Sequence, residues 1–268
     1  MTKKQSFATN ADMTRKPAIY LDHAATTPIL PEVGEVIAEA WACWANPSSV
    51  HAAGRAARAA LEHARDRVAA ALNWRNDVIF TGGATEALAL AWQHSRGTDK
   101  WAGAGEHTAV LRHAGEAILP VDGAGRVICH ALPKADLIAV QQVNNETGVI
   151  QPLAEIGAVA RANGALLLAD CAQGAGKLPL PDADFIAIAG HKLGAPPGIG
   201  ALLVRDMATL APSGGQERGY RPGTENLPYI LGLAKALEAD QSWLLSAAKL
   251  RVWLEAELSA MGAQIIGQ

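Results

Sequence analysis

Short, unbroken apolar runs alternate along this chain with longer stretches of helical periodicity. Residues 77–80, 137–143, 165–169, 185–189 and 201–204 read as strands. They lack polar alternation, the mark of strands buried on both faces of a largely parallel sheet. Between them, residues 46–73 form an Ala-, Arg- and Leu-rich helical stretch with a proline near its start, and residues 85–94 a helix after Gly82 and Gly83. This order predicts an α/β architecture. Beyond Pro228 the character changes. Residues 229–239 and 243–261 read as helices, the second with Leu244, Ala248, Val252, Leu254 and Leu258 close to helical spacing. Residues 264–266 then begin like a strand, and a lone terminal strand is the expectation for a unit cut short.

Half of the 268 residues are hydrophobic and 18% are charged, so a substantial core is expected rather than disorder. The formal net charge of −3 argues against nucleic-acid and anionic-membrane partners, which call for a basic surface. No apolar run approaches the ~20 residues that span a bilayer. Cys43, Cys129 and Cys171 form no CxxC pair, which suits reduced thiols in the cytoplasm. The first seventeen residues are polar and read as a flexible tail, residues 18–240 as one large domain, and residues 241–268 as a linker helix and the start of a small domain.

Chemistry gathers at the predicted strand ends, where open α/β sheets bind ligands. After the strand at 77–80, two glycines turn the backbone into a helix whose free N–H groups and dipole suit an anion, with Thr85 adding a hydroxyl. Thr85 serves equally as a simple N-cap. Asp170 closes an apolar run. An acid there either caps the next segment or pairs with a pyridinium nitrogen and keeps it protonated. His191 and Lys192 close another run. A lysine so placed either snorkels to solvent or, with its proton held loosely, attacks an aldehyde. Residues 143–148 add amides, an acid and a hydroxyl, and Glu106, His107 and Thr108 form a further polar cluster. His107 reads as a helix-start histidine or as a ring able to stack on an aromatic.

Together these stretches resemble the class V aminotransferases and, within them, the cysteine desulfurases of the NifS/IscS type. The resemblance runs through Tyr-Leu-Asp-His-Ala-Ala-Thr-Thr-Pro at 20–28, Asn-Pro-Ser-Ser-Val-His at 46–51, Gly-Ala-Thr-Glu at 83–86 and Glu106 with His107. It continues through residues 144–148, Asp170 with Gln173, Gly-His-Lys at 190–192, Gly-Gln-Glu-Arg-Gly at 215–219 and Arg-Pro-Gly-Thr-Glu-Asn at 221–226.

The resemblance implies the large domain of a fold type I pyridoxal-phosphate (PLP) transferase, with a truncated small domain and no metal. It implies Lys192 as the Schiff-base lysine, Asp170 on the pyridine nitrogen, Gln173 on the phenolic oxygen and His107 stacked on the ring. Thr85, the Ala84 backbone and His191 would hold the phosphate. Thr224 would reach the phosphate of the neighbouring subunit of a homodimer, and Asn145 would lie near the cofactor and the substrate carboxylate. The implied reaction converts L-cysteine to L-alanine and passes sulfur to a protein thiol, for a sulfur acceptor or iron–sulfur scaffold. Related readings are another PLP lyase or transferase, or a non-catalytic PLP-binding dimer partner. Three departures accompany the resemblance. Ala189 stands where the family commonly has a phosphate-binding hydroxyl, and residues 101–105 lack the apolar strand usual before the Glu-His pair. The chain also ends ahead of the family's nucleophilic cysteine loop and carboxylate-binding arginine.

Overall fold

The computed structural model describes residues 19–42 and 44–265; the predicted tail, Cys43 and Ile266 lie outside them. The chain opens with helices α1 (Pro31–Ala40) and α2 (Ala52–Ala71), then β1 (Asp77–Thr81) and α3 (Ala84–His94). There follow β2 (Lys100–Gly103), α4 (Thr108–Ala114), β3 (Ile118–Leu119), β4 (Leu137–Gln141), α5 (Leu153–Ala162) and β5 (Leu166–Asp170). Strands β6 (Phe185–Ala189) and β7 (Gly200–Val204) and helices α6 (Leu227–Leu237) and α7 (Trp243–Ala260) complete it.

The strands form one sheet in the order β1-β7-β6-β5-β4-β2-β3, with β7 antiparallel to both neighbours and the other pairings parallel. Side-chain alternation across the pleat explains why the strands read as unbroken apolar runs. Ile138, Val140, Leu167, Ala169, Ile186 and Ile188 face one core, shared with α1, α2, α5 and α6. Leu137, Ala139, Leu168, Phe185 and Ala187 face a second core against α3 and α4. Each large side chain so buried is worth roughly 1.5–3 kcal/mol, which makes the centre of the sheet its most secure part.

Residues 101–105 depart from the sequence expectation, because part of them is a strand. Strand β2 pairs with β4 on one side and β3 on the other. Its small residues have a packing reason: a Cβ on Gly103 would lie 3.1 Å from Glu106 Oε1 and 3.2 Å from a Val127 methyl. The strand expected at 264–266 does not form over Gln264 and Ile265. The helix expected at 243–261 does form, yet its apolar positions bury nothing.

A buried ion pair ties the loop after β7 to the body. Arg65 of α2 donates two hydrogen bonds to Glu217 (2.6 and 3.1 Å), and Glu217 Oε2 also accepts the Phe80 N–H at 2.8 Å. The guanidinium further donates to Val78 O and lies 4.9 Å over the Phe80 ring. Among the described residues no helix is long and apolar enough to cross a membrane.

Candidate active site

The carboxyl ends of β4, β5 and β6 open on a cleft of about 1010 Å³, roofed on one side by the start of α3. Ala84, Thr85, His107, Asn145, Asp170, Gln173, Ala189, His191 and Lys192 all line it. Thr224 does not. It is exposed and lines a separate small hollow with Gly82, Arg221 and Glu225.

Helix α3 starts at Ala84, with Gly83 at the N-cap and no side-chain cap. Thr85 is therefore inside the first turn and not the cap, which leaves backbone N–H groups directed at the cleft. Gly83 has φ 151°, and a Cβ on Gly200 of the adjoining β7 would fall 2.7 Å from its backbone, so glycine is required at both positions. Glu86, also in that first turn, accepts the Gly82 N–H and pairs with Arg221 Nε at 2.7 Å.

Asp170 is the last residue of β5 and is 8% exposed. No helix follows it, so it is not a helix cap; Oδ1 accepts the Ala172 N–H at 2.9 Å. Burial pushes its carboxyl up, while that N–H and the influence of Lys192 and His107 pull it back. Lys192 lies in the tight turn Gly190–Lys192 that ends β6, the strand beside β5. Its half-buried ammonium holds its proton less tightly than an ordinary lysine because of burial, with Asp170 opposing.

The turn that carries Lys192 is held from far away in the sequence. The His191 carbonyl accepts the Thr27 N–H at 2.8 Å and the Thr27 hydroxyl at 2.9 Å, and Thr27 Oγ1 accepts the Gly194 N–H at 2.9 Å. His191 Nδ1 contacts Thr26 Oγ1 at 3.1 Å, and burial followed by Lys192 lowers the imidazole's proton affinity. Gln173 Nε2 donates to Ala24 O at 2.8 Å, binding the same early segment to the β5 end. Thr26 and Thr27 belong to the stretch at 20–28, yet their structural task has no local signature.

His107 is the helix-start histidine of one sequence reading. Its Nδ1 accepts the Ala109 N–H at 3.1 Å as the N-cap of α4, while the exposed ring borders the cleft. Asn145 Nδ2 donates to Glu146 Oε1 at 2.7 Å on the β4 side. Ala189 offers the cleft only a methyl group. Cys171 is fully buried and its thiol is pushed well up by burial and by Asp170, so it is an inert packing residue. Cys129 is also buried, with its thiol pushed up.

The family described as Aminotransferase class-V matches residues 19–261. An IscS-like cysteine desulfurase of Mycobacterium tuberculosis is 37% identical, over 92% of this chain and 71% of that protein. Cysteine desulfurase IscS of Rickettsia felis is 39% identical, over 84% of this chain and 62% of that protein. The chain thus spans 62–71% of the length of these relatives. Among solved structures, a NifS-like protein of Rickettsia africae superposes with TM-score 0.83 at 32% identity, over 90% of this chain and 75% of that one. A structure titled SspA in complex with cysteine gives TM-score 0.76 at 31% identity, over 88% and 77%.

Proposed function

This chain belongs to the class-V aminotransferase family, and we propose that it carries the cofactor-binding site of a cysteine desulfurase, acting on L-cysteine with PLP. The family's members use PLP, and the residues present fit it. The observation that carries the reading is the placement of Asp170 at the end of β5 and of Lys192 in the turn that ends the adjacent parallel β6. The two are near enough for each charge to bear on the other and buried enough to alter each group's proton affinity. An uncapped helix start for a phosphate on the same cleft supports it.

PLP, when bound, supplies an electron sink for the substrate's α-carbon. The chain's residues do the rest. Lys192 would hold the cofactor through its side-chain amine and would be the group placed to move the substrate's α-proton. Asp170 would keep the ring nitrogen protonated, Gln173 would bond the phenolic oxygen, and His107 would stack on the ring. The Ala84 N–H, Thr85 and His191 would hold the phosphate, and Asn145 would lie by the cofactor and the substrate carboxylate. Thr224, exposed and outside the cleft, reaches the phosphate site of a second copy in a homodimer. A thiolate would attack the sulfur of L-cysteine, forming an S–S bond as the C–S bond breaks and its electron pair stays on the carbon that becomes alanine. Neither buried Cys129 nor Cys171 is accessible for this, and the persulfide so formed would pass its sulfur to an acceptor or iron–sulfur scaffold.

The test combines borohydride reduction and peptide mapping with sulfide and alanine assays on L-cysteine. Wild-type protein and Cys171→Ser should carry the cofactor on Lys192, and Lys192→Ala should carry none. Sulfide release should be as low in wild-type protein as in Lys192→Ala, because good positioning of a thiolate contributes about 7–11 kcal/mol and no described cysteine supplies it. Label on another lysine would refute the site. Turnover that needs both Lys192 and Cys171 would reassign the nucleophile.

A further inference from the structure

Glu106 is a buried acid to which the proposed chemistry gives no task. It immediately precedes His107 and is 6% exposed. Oε1 accepts the Gln141 N–H at 2.7 Å, while Oε2 is buried without a hydrogen-bond partner. The neighbouring charge that bears on it is that of Asp170, and among the described residues no cation offsets it.

The surrounding segment is clamped to the end of β4. Gly105 O accepts the Gln141 side-chain amide and, at 3.0 Å, that of Asn144. The Glu106 N–H donates to Gly103 O at 3.1 Å, folding the carboxyl back over Gly103. Gln141 is thus gripped at main chain and side chain by residues 105–106, and in the sheet it stands beside Asp170. His107 enters the cleft from this grip.

We propose that Glu106 is a positioning residue that works as a neutral carboxylic acid, locking the turn at 103–107 onto the end of β4 so that His107 is held at the cofactor ring. The ring placement rests on the reading of the cleft as a PLP site; the charge state does not. Two adjacent buried carboxyls do not both ionise without large cost, and their surroundings divide the task. Asp170 has the Ala172 N–H, Lys192 and His107 to favour its anion. Glu106 has one N–H and a bare second oxygen, and a bare buried carboxylate is costly to ionise. Burial, with repulsion from Asp170, raises its carboxyl well above the usual range, and the Gln141 N–H only partly opposes this. Asp170 remains the anion of the pair, and Glu106 adds no second negative charge behind the ring.

The experiment compares wild-type protein with Glu106→Gln and Glu106→Ala by three readouts. Infrared difference spectroscopy should show a protonated-carboxyl stretch at neutral pH that disappears in Glu106→Gln. Hydrogen exchange of the Gln141 amide should remain protected in Glu106→Gln, which keeps an acceptor, and become faster in Glu106→Ala. The pH titration of the lysine-bound cofactor's visible band should coincide for wild-type protein and Glu106→Gln. Cofactor retention should weaken about tenfold in Glu106→Ala, which corresponds to ~1.4 kcal/mol. A carboxyl band indifferent to Glu106→Gln, a titration shifted by that variant, or full protection of Gln141 in Glu106→Ala would each overturn the proposal. If wild-type protein carries no cofactor at all, the reading of the cleft fails, while the infrared and exchange results still decide the state and grip of Glu106. If Glu106→Ala does not fold, the Glu106→Gln spectra and titration decide it.

Discussion

Helices α6 and α7 follow one another in the chain and are both rich in Leu and Ala, yet their circumstances are opposite. Helix α6 lies on α1 and α2 and buries Leu227, Ile230, Leu233, Ala234, Ala236 and Leu237. The contact is close enough that a Cβ on Gly232 would fall 2.8 Å from the Ile37 side chain. Helix α7 buries no residue, with Leu250 64% and Trp253 60% exposed. Its Leu244, Leu245, Leu250, Val252, Trp253 and Leu254 run round the whole circumference, whereas α6 gathers its apolar residues on the side that meets the body. Apolar content makes both helices; an apolar stripe is what docks one of them. Helix α7 is supported locally, for example by the Arg251–Glu255 pair at 2.8 Å.

The largest effect expected from this contrast is on the cofactor. A chain ending at Asp240 should retain lysine-bound PLP as the full chain does, while Lys192→Ala should lose covalent attachment completely. Visible absorbance and borohydride labelling measure both, and loss of cofactor from the shortened chain would break the contrast between body and appendage. Next comes the ion pair that fastens the body's loop. Glu217→Ala removes two hydrogen bonds of the Arg65 guanidinium, which keeps Glu62 at 3.0 Å and Val78 O, and leaves the Phe80 N–H without its carboxylate acceptor. It should cost roughly 1–3 kcal/mol in urea unfolding.

The helices themselves give a matched test. Leu233 is fully buried, and Leu233→Ala should destabilise by roughly 2–5 kcal/mol. Leu250→Ala in α7 should remain within about 0.5 kcal/mol of wild type. Equal costs would mean that α7 is docked in solution.

Smaller effects concern the site. Lys192 binds its proton less tightly when folded than when unfolded. Between its lowered value and the ordinary lysine value the unfolded chain holds more protons, so this group's contribution to stability rises with pH across that window. Cofactor attachment should likewise reach its maximum rate at a lower pH than a free lysine requires, read by stopped-flow absorbance. Finally, Ala189→Ser places a hydroxyl on the cleft wall and should tighten PLP retention on dialysis by roughly 0.5–1.5 kcal/mol. Faster loss would show that the phosphate is already satisfied.

The central strands and the groups at their ends are legible in the sequence because each is announced locally. A run such as Leu166–Asp170 is apolar throughout because both faces are covered, and the acid that closes it must leave the sheet where ligands enter. The same holds for β6 and Lys192. Strand β2 is not legible in this way. Its Lys100, Trp101, Ala102 and Gly103 carry little strand signal, and the pairing with β3 and β4 makes them a strand. Lys100 is occupied in capping the end of α3 through Trp92 O and Ser95 O.

What residue order alone determined about this protein is therefore the two-sided sheet, the helical stretches and the positions where polar chemistry leaves strands. Only tertiary structure decided which of those positions share a cleft and how they are held there. Thr27 meets the His191 turn across 164 positions and Arg65 meets Glu217 across 152, while Gln173 reaches back to Ala24 across 149. Thr224, prominent in its motif, lines a different hollow. The physical reason is range. Burial and backbone preference repeat with the period of the local element, so a short window of sequence reveals them. A hydrogen bond or ion pair between distant segments has no period, and its partners become neighbours only when the sheet has assembled.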